Sequence, residues 1–220
     1  MKILVTAGAT REPIDAVRYL SNIGTGKTGA LVADALGARG HDVTLLAGPG
    51  AFAPEKTAEV EAFSSAEDLG ARLQRRLVGG DYDAVIMTAA VADYRPREIQ
   101  SGKMASGDGR LTLQLVRNPK LLPQLKSFSP RPLFVAGFKL TVGADAASRR
   151  QAVAEQFAHG GIDLVVHNDL EDIRRAAAHP FWIHRAAEVA PIPAEGPAAL
   201  ALALEAEFIR LRAESPGALR

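Results

Sequence analysis

The 220-residue sequence predicts an α/β fold: three layers around a mostly parallel sheet, in a single domain. Three observations predict it. Short apolar runs such as "KILVTAG" and "IDLVVHND" have the length and continuity of strands buried on both faces. Segments with helical spacing alternate with these runs, as parallel sheets with crossover helices require. The runs also leave into loops rich in Gly, Ala, Asn, Asp, Thr and Lys: "TAGATREP", "AGPGA", "MTAAVADYRP", "GFKLT" and "HNDL". Such loops gather at the carboxyl edge of the sheet, where open α/β sheets bind ligands.

Taken in order, "KILVTAG" is the first strand. "TGALVADALGAR", Thr28 to Arg39, has helical spacing, and Gly40 supplies its stop. "HDVTLLAG" is a second strand, followed by "SSAEDLGARLQRRLVGG", an amphipathic helix opened by serine caps. "YDAVIMTAAVAD" is a third strand. "YRPREIQSGKMASGDGR" holds few large apolar residues and much Gly, Ser and charge, so it reads as an exposed, mobile loop. "LTLQLV" alternates like a strand, and "NPKLLPQL" begins a short helix with proline near its start. "PLFVAGFKL" and "IDLVVHND" are buried strands separated by the helical "AASRRQAVAEQFAHGG". "HPFWIHRAAEVAPIP" suggests a terminal strand or hairpin before a last helix, "GPAALALALEAEFIRLR". With no repeat, linker or second domain in view, the arrangement is Rossmann-like over residues 1–220.

Lys and Arg number 26 against 25 Asp and Glu, so nothing global argues for a nucleic-acid or membrane partner. Cysteine is absent, which removes disulfides, a thiolate nucleophile and a Cys-type zinc site. No stretch approaches the roughly 20 apolar residues of a membrane span. A soluble cytoplasmic protein is expected. The five histidines show no HxxxH or HxxH spacing, so no metal site built from the chain's own side chains is expected.

"SNIGTGKTG" ends like a phosphate-binding P-loop, but the motif requires a glycine where Ser21 stands. Its glycines and Lys27 still offer N–H groups and a charge to an anion, or form a Gly-rich helix entry with a solvated lysine. In "TAGATREP", Gly8 permits close backbone approach, Thr10 adds a hydroxyl and Arg11 a forked cation; a plain glycine turn with a surface arginine fits equally. Asn22 can both donate and accept without titrating, which suits a site handling an acyl group. Asp93, just past the third strand, can accept from a ribose or base, face a metal, or simply cap. Lys103 is a solvated loop lysine or a lid that closes on phosphates. Phe138 is a core residue or a base platform, and Lys139 follows it at the strand's end.

In order along the chain, "TAGATREPIDAVRYLSNIGTGKTG", "AAVADYRP", a lysine-bearing flap at about residues 95–110, "NPKL", "GF" and "ND" resemble the phosphopantothenate–cysteine ligase family of coenzyme A biosynthesis. The first strand begins at Lys2, and the chain looks like that family's stand-alone form. The resemblance implies a two-step reaction. The carboxylate of 4′-phosphopantothenate attacks the α-phosphorus of a nucleoside triphosphate, and L-cysteine then attacks the acyl-nucleotidylate. It implies catalytic roles for Asn22 and Lys103, and substrate contacts from Asn22, Arg18 and Ala90. Nucleotide contacts are implied for Gly8, Thr10, Arg11, Lys27, Asp93, Asn118, Pro119, Lys120, Leu121, Phe138 and Lys139. It further implies Mg²⁺ on the triphosphate, a homodimer, and CTP or ATP as nucleotide, with CTP favoured. The chain departs from the bifunctional bacterial pattern in three places. "KMAS" stands for a K-x-K-K flap, with Ala105 and Ser106 in place of lysines; "GFKLT" stands for "GFAAET"; and Gln156 and Gly160 stand where a helix carries lysines. Lys139 is expected to restore the missing phosphate charge.

Two other readings compete. An NAD(P)-dependent reductase would need a G-x-G-x-x-G turn, and a tyrosine with lysine four later. Here Tyr19, Tyr82 and Tyr94 are followed at that distance by Ile23, Ile86 and Glu98. A non-catalytic nucleotide-binding regulatory module would bind the triphosphate without releasing pyrophosphate.

Overall fold

Six parallel strands form the body of the sheet in this computed structural model, which describes residues 1–57, 59–105 and 109–214. Residues 106–108 of the expected flap, Ser106 among them, and 215–220 of the expected domain lie outside the described residues. β1 (Lys2–Ala7) is central, flanked by β4 (Asp42–Ala47) and β6 (Ala84–Met87). Beyond β4 lies β5 (Glu59–Ala62); beyond β6 lie β9 (Phe134–Thr141) and β10 (Leu164–Asp169). An antiparallel hairpin, β11 (Pro180–His184) and β12 (Ile192–Glu195), closes the far edge. The chain steps outward from β1 to β4 and β5, then returns to β6 on the other side. The order therefore reverses between β1 and β6, which makes a crevice at their carboxyl ends.

Alternation along β1 divides the core. Ile3, Val5 and Ala7 pack with α1 (Lys27–Ala38) and α6 (Gly196–Glu214) on one face. Leu4 packs on the other face with α2 (Ala66–Leu77) and α3 (Leu125–Phe128), which a 3-10 turn at Leu122–Gln124 introduces. On that second face α4 (Ala146–Ala158) lies over β9, with the Gln156 side chain above Gly137. Helix, sheet, helix: the three predicted layers are present, as is the α/β class.

Local chemistry explains the boundaries. Ser65 caps α2 by accepting from the Asp68 amide at 3.2 Å, and Asp145 caps α4 by accepting from Ser148 at 2.7 Å. Gly40, at φ 86°, takes the left-handed turn after α1.

Three expectations need correction. The second strand does not pass straight into a helix: β5 intervenes as the sheet edge. Its "EVEA" reads as solvated because it is acidic, but Glu59 and Glu61 are neutralised by Arg72, Arg75 and Arg76 of α2. The third strand ends at Met87, and the chain beyond it is irregular. "LTLQLV" pairs only from Leu115, as β8 (Leu115–Arg117) against β7 (Tyr94–Pro96). The expected loop is exposed over residues 97–103, and its described base is anchored. Gln100 N donates to Ile14 O and Ala16 N to Gly102 O, both at 3.1 Å, from a hairpin of β2 (Arg11–Pro13) and β3 (Tyr19–Ser21).

Candidate active site

Beside the switch point, over the carboxyl ends of β6 and β9, lies a cavity of about 670 Å³. Its walls are the loops that leave β3 and β6, the last residues of β9, the Asn118–Pro123 turn, Gln156 and His159 at the end of α4, and Leu170 just past β10. Among the sequence-derived candidates, the structure brings Asn22, Ala90, Asp93, Asn118, Pro119, Lys120, Leu121, Phe138 and Lys139 to this one cavity.

Small residues let the walls meet. The loop after β6 is drawn to the loop after β1: Ala90 N donates to Gly8 O at 2.8 Å and Thr10 N to Ala90 O at 3.3 Å. A Cβ on Gly24 would stand 3.0 Å from the Ala90 methyl, so the Asn22–Gly24 segment can lie flat against this loop. Asn22 then follows β3 directly, and its Nδ2 donates to Val91 O at 3.3 Å. That bond leaves its amide oxygen as the free acceptor at the cavity wall.

The opposite rim is built on Asn118, which is only 8 % exposed. Its backbone N donates to Asp93 O at 2.9 Å, and its Nδ2 donates to Ala92 O at 2.8 Å. Its Oδ1 accepts from Arg95 at 2.9 Å. Asn118 is thus a clamp between two loops, and the clamp carries Asp93 and Lys120 to the mouth. There Lys120 Nζ donates to Asp93 Oδ1 at 2.6 Å across an exposed rim. Phe138 serves both readings at once: it lines the cavity and meets Phe181 edge-on at 6.4 Å. Lys139 adds a second cation to the lining.

Other candidates lie elsewhere. The glycines of the first loops pack on protein: a Cβ on Gly26 would stand 2.7 Å from Gly8 N, and one on Gly48 2.7 Å from Ala9 O. Gly8 itself sits at φ 86°. Thr10 is fully buried, with its Oγ1 accepting from Ala92 N at 3.0 Å and its carbonyl from Ser21 Oγ at 2.7 Å. It shapes the wall from behind. The Arg11 guanidinium lies over the Tyr19 ring at 4.4 Å, and the Lys27 ammonium lies 5.8 Å from the Phe52 ring. Arg18 is engaged by Asp15 at 3.1 Å, and Lys103 is exposed beside it rather than in the lining.

Sequence reasoning missed Gln156 and His159 of the α4 end, along with Met87 and Leu122, as cavity residues. The signal for Gln156 was its standing where the resemblance puts a lysine. For His159 there was none, because helical periodicity does not say which side of α4 faces a ligand. The "HND" triplet is buried support. Burial opposes the Asp169 charge, but Thr141, Ala144, Gly143 and Glu171 all donate to it and hold the carboxyl well below its usual range.

Comparison with known proteins agrees with this geometry. The model of the DNA/pantothenate metabolism flavoprotein C-terminal domain matches residues 1–205. The coenzyme A biosynthesis bifunctional protein CoaBC of Thermococcus kodakarensis is 36% identical over 172 residues, 77% of this chain and 41% of that protein. The chain thus spans about two fifths of the length of the curated relatives it matches. The DNA/pantothenate metabolism flavoprotein from Streptococcus pneumoniae superimposes with a TM-score of 0.84 at 26% identity, over 96% of this chain and 99% of that one. The Cab2 mutant H337A, solved in complex with phosphopantothenate-cysteine, shares the fold at TM-score 0.81 and 17% identity, over 97% and 88% of the two chains. Matched over nearly its whole length, the chain belongs to the DNA/pantothenate metabolism flavoprotein C-terminal domain family.

Proposed function

We propose that this chain is a ligase that joins 4′-phosphopantothenate to L-cysteine through an acyl-nucleotidylate, with CTP the favoured triphosphate. One observation carries the reading: Asn22, Asp93 and Phe138, distant in sequence, line a single cavity beside the switch point. The kinship with CoaBC proteins and the Cab2 complex supports the substrate class.

In the first half-reaction a carboxylate oxygen bonds to the α-phosphorus, and the bond to the β-phosphate oxygen breaks to release pyrophosphate. In the second, the cysteine amine bonds to the acyl carbon, the acyl–phosphate bond breaks, and the amine loses a proton. Both steps gather negative charge in a confined space, so fixed cations and N–H donors have the largest effect. Lys139 on the wall and Lys120 at the rim supply such charge, and Lys103 approaches from the flap. Asp93 takes the ribose hydroxyls, for which Lys120 must yield one carboxylate oxygen. The flat ring of Phe138 offers a face to the nucleotide. Asn22 donates its second amide N–H to an oxygen of the acyl group, and its amide oxygen accepts from the incoming cysteine amine.

Mg²⁺ enters on the triphosphate as part of the substrate. Among the described residues no three His, Asp or Glu side chains come together as a cage, and Asp93 is the carboxylate of the lining. These donors fit a metal held on phosphate oxygens.

A homodimer completes the reading. Ile23 is 94% exposed at the cavity mouth, with Tyr19, Tyr94 and Leu115 exposed on the adjoining hairpins, an apolar margin that a second copy would cover. No described helix is long and apolar enough to cross a membrane.

The dinucleotide-reductase alternative lacks both the G-x-G-x-x-G turn and a tyrosine with lysine four later. The test is direct. Incubation with 4′-phosphopantothenate and each triphosphate, without cysteine, releases pyrophosphate; adding cysteine yields the amide. Triphosphate binding with no pyrophosphate under any condition would leave a sensor, and the ligase reading would be wrong.

A further inference from the structure

Asp15 is a buried carboxylate at the tip of an exposed hairpin. It is 5% exposed, while Val17 beside it is 61% exposed, so the core is not what buries it. Val17 N and Arg18 N donate to its Oδ1 at 2.9 and 2.7 Å, and Arg18 Nη1 donates to its Oδ2 at 3.1 Å. These bonds shape the turn. The fourth donor comes from 89 residues away: Met104 N reaches Oδ2 at 3.1 Å. Arg18 Nη2 answers by donating to Met104 O at 3.4 Å. With Gln100 and Gly102 bonded to Ile14 and Ala16, the strap is fixed on both sides of Lys103. The same hairpin runs through β3 straight into Asn22 at the cavity wall.

We propose that Asp15 is a positioning residue that mounts Lys103 on the hairpin presenting Asn22, so that the lysine moves with the acyl-binding wall and not as a free flap. This rests on the ligase reading and deepens it. Lys103 keeps its side-chain freedom, but its Cα stays fixed relative to Asn22, and the charge that meets the triphosphate is delivered at a set distance from the acyl group.

The test is a double-mutant cycle on pyrophosphate release, using Asp15→Asn, Lys103→Gln and both together in the full chain. Asp15→Asn keeps the shape but weakens a charge-assisted bond to the Met104 amide, a change worth roughly tenfold in rate. If Asp15 acts through Lys103, the double variant is no slower than Lys103→Gln alone, within about twofold. Multiplicative losses would overturn the proposal. Hydrogen exchange supplies the second readout: in Asp15→Asn the Met104 and Gly102 amides lose protection while β1 and β9 keep theirs, and unchanged Met104 protection would equally overturn it. Gln100→Pro, which deletes a strap bond without touching the carboxylate, shows the same Lys103-dependent loss; a loss unaffected by the Lys103 substitution would count against the mount. If the wild type releases pyrophosphate and Lys103→Gln does so at the same rate, the mount has no catalytic purpose and the proposal falls, while the ligase reading stands.

Discussion

Lowering the pH from 7 to 5 destabilises this fold through His167. The residue is 2 % exposed on β10, and burial first, then the charges of Arg149 and His184, push its pKa down from 6.5 to about 4. The Thr141 hydroxyl donates to Asp169 at 2.6 Å, so it accepts from His167 Nε2–H at 2.9 Å, and the neutral ring is built into the network. Because the folded pKa lies below the unfolded one, the stabilisation is full above about pH 6.5 and is lost as the pH falls toward 4. The complete shift corresponds to about 3 kcal/mol, of which about 2 kcal/mol is lost by pH 5. His167→Gln removes the proton uptake while leaving an amide that donates to Thr141. Urea unfolding of both proteins at pH 7 and pH 5 gives the comparison. The variant is less stable at pH 7, and its deficit shrinks by about 2 kcal/mol at pH 5. A deficit that stays constant between the two pH values refutes the argument, because it would mean that His167 titrates alike in folded and unfolded chains. His179, also lowered by burial and not among the charges acting on His167, contributes to the acid loss with the same sign in both proteins and cancels from the difference.

Three other outcomes are expected. Lys139→Ala raises the apparent KM for the triphosphate by about tenfold, the effect of one charge-assisted contact, with 4′-phosphopantothenate saturation little changed; unchanged triphosphate KM would remove Lys139 from phosphate binding. Asn22→Asp slows amide formation more than pyrophosphate release, since a carboxylate repels the acyl-phosphate; equal losses, read in single-turnover assays, would contradict its acyl role. Gly137→Ala puts a methyl 2.6 Å from Leu122 Cδ2 and 3.3 Å from the Gln156 amide, so these side-chain ends must swing aside at a cost of about 1 kcal/mol. Thermal melting and triphosphate KM should both worsen, and a neutral melt would show the floor to be pliant.

Where one physical rule governs a segment, the sequence was readable. The helix expected from Thr28 to Arg39 is Lys27–Ala38, and the apolar runs of β1, β4, β9 and β10 are strands because nothing but a buried parallel sheet suits them. β5 was hidden because its stability comes from arginines on a helix that follows it, and an acidic strand looks solvated until its counter-ions are placed. The cavity was legible as a list of loops, since topology sends every carboxyl end to one edge. Which small residues face a ligand was not legible. Gly8, Gly26 and Gly48 have the composition of a phosphate cradle, yet the same absence of a Cβ lets backbone meet backbone, and here it does. Arg18 and Lys103 were legible only as charges. Their relation to Asp15 depends on a contact between segments about 90 residues apart, which no local pattern reveals.

The glycine-lysine stretch also has a packing role that its letters do not suggest. By packing against the turn after β1, Gly26 frees the 21–24 segment to cross the switch point, where Asn22 bonds to the loop after β6. Thr10 reinforces the same junction from beneath, through Ala92 and Ser21. A P-loop would have turned its N–H groups toward a triphosphate at this place. Here Gly26 opens α1 without a side-chain cap, and the ligase reading draws phosphate charge from the far wall, by Lys120 and Lys139, and from the strap, by Lys103. In the ligase reading the cations are thus divided between the cavity wall and a strap mounted on the hairpin that presents Asn22, so triphosphate and acyl group are met by elements that the Asp15 bonds hold in register.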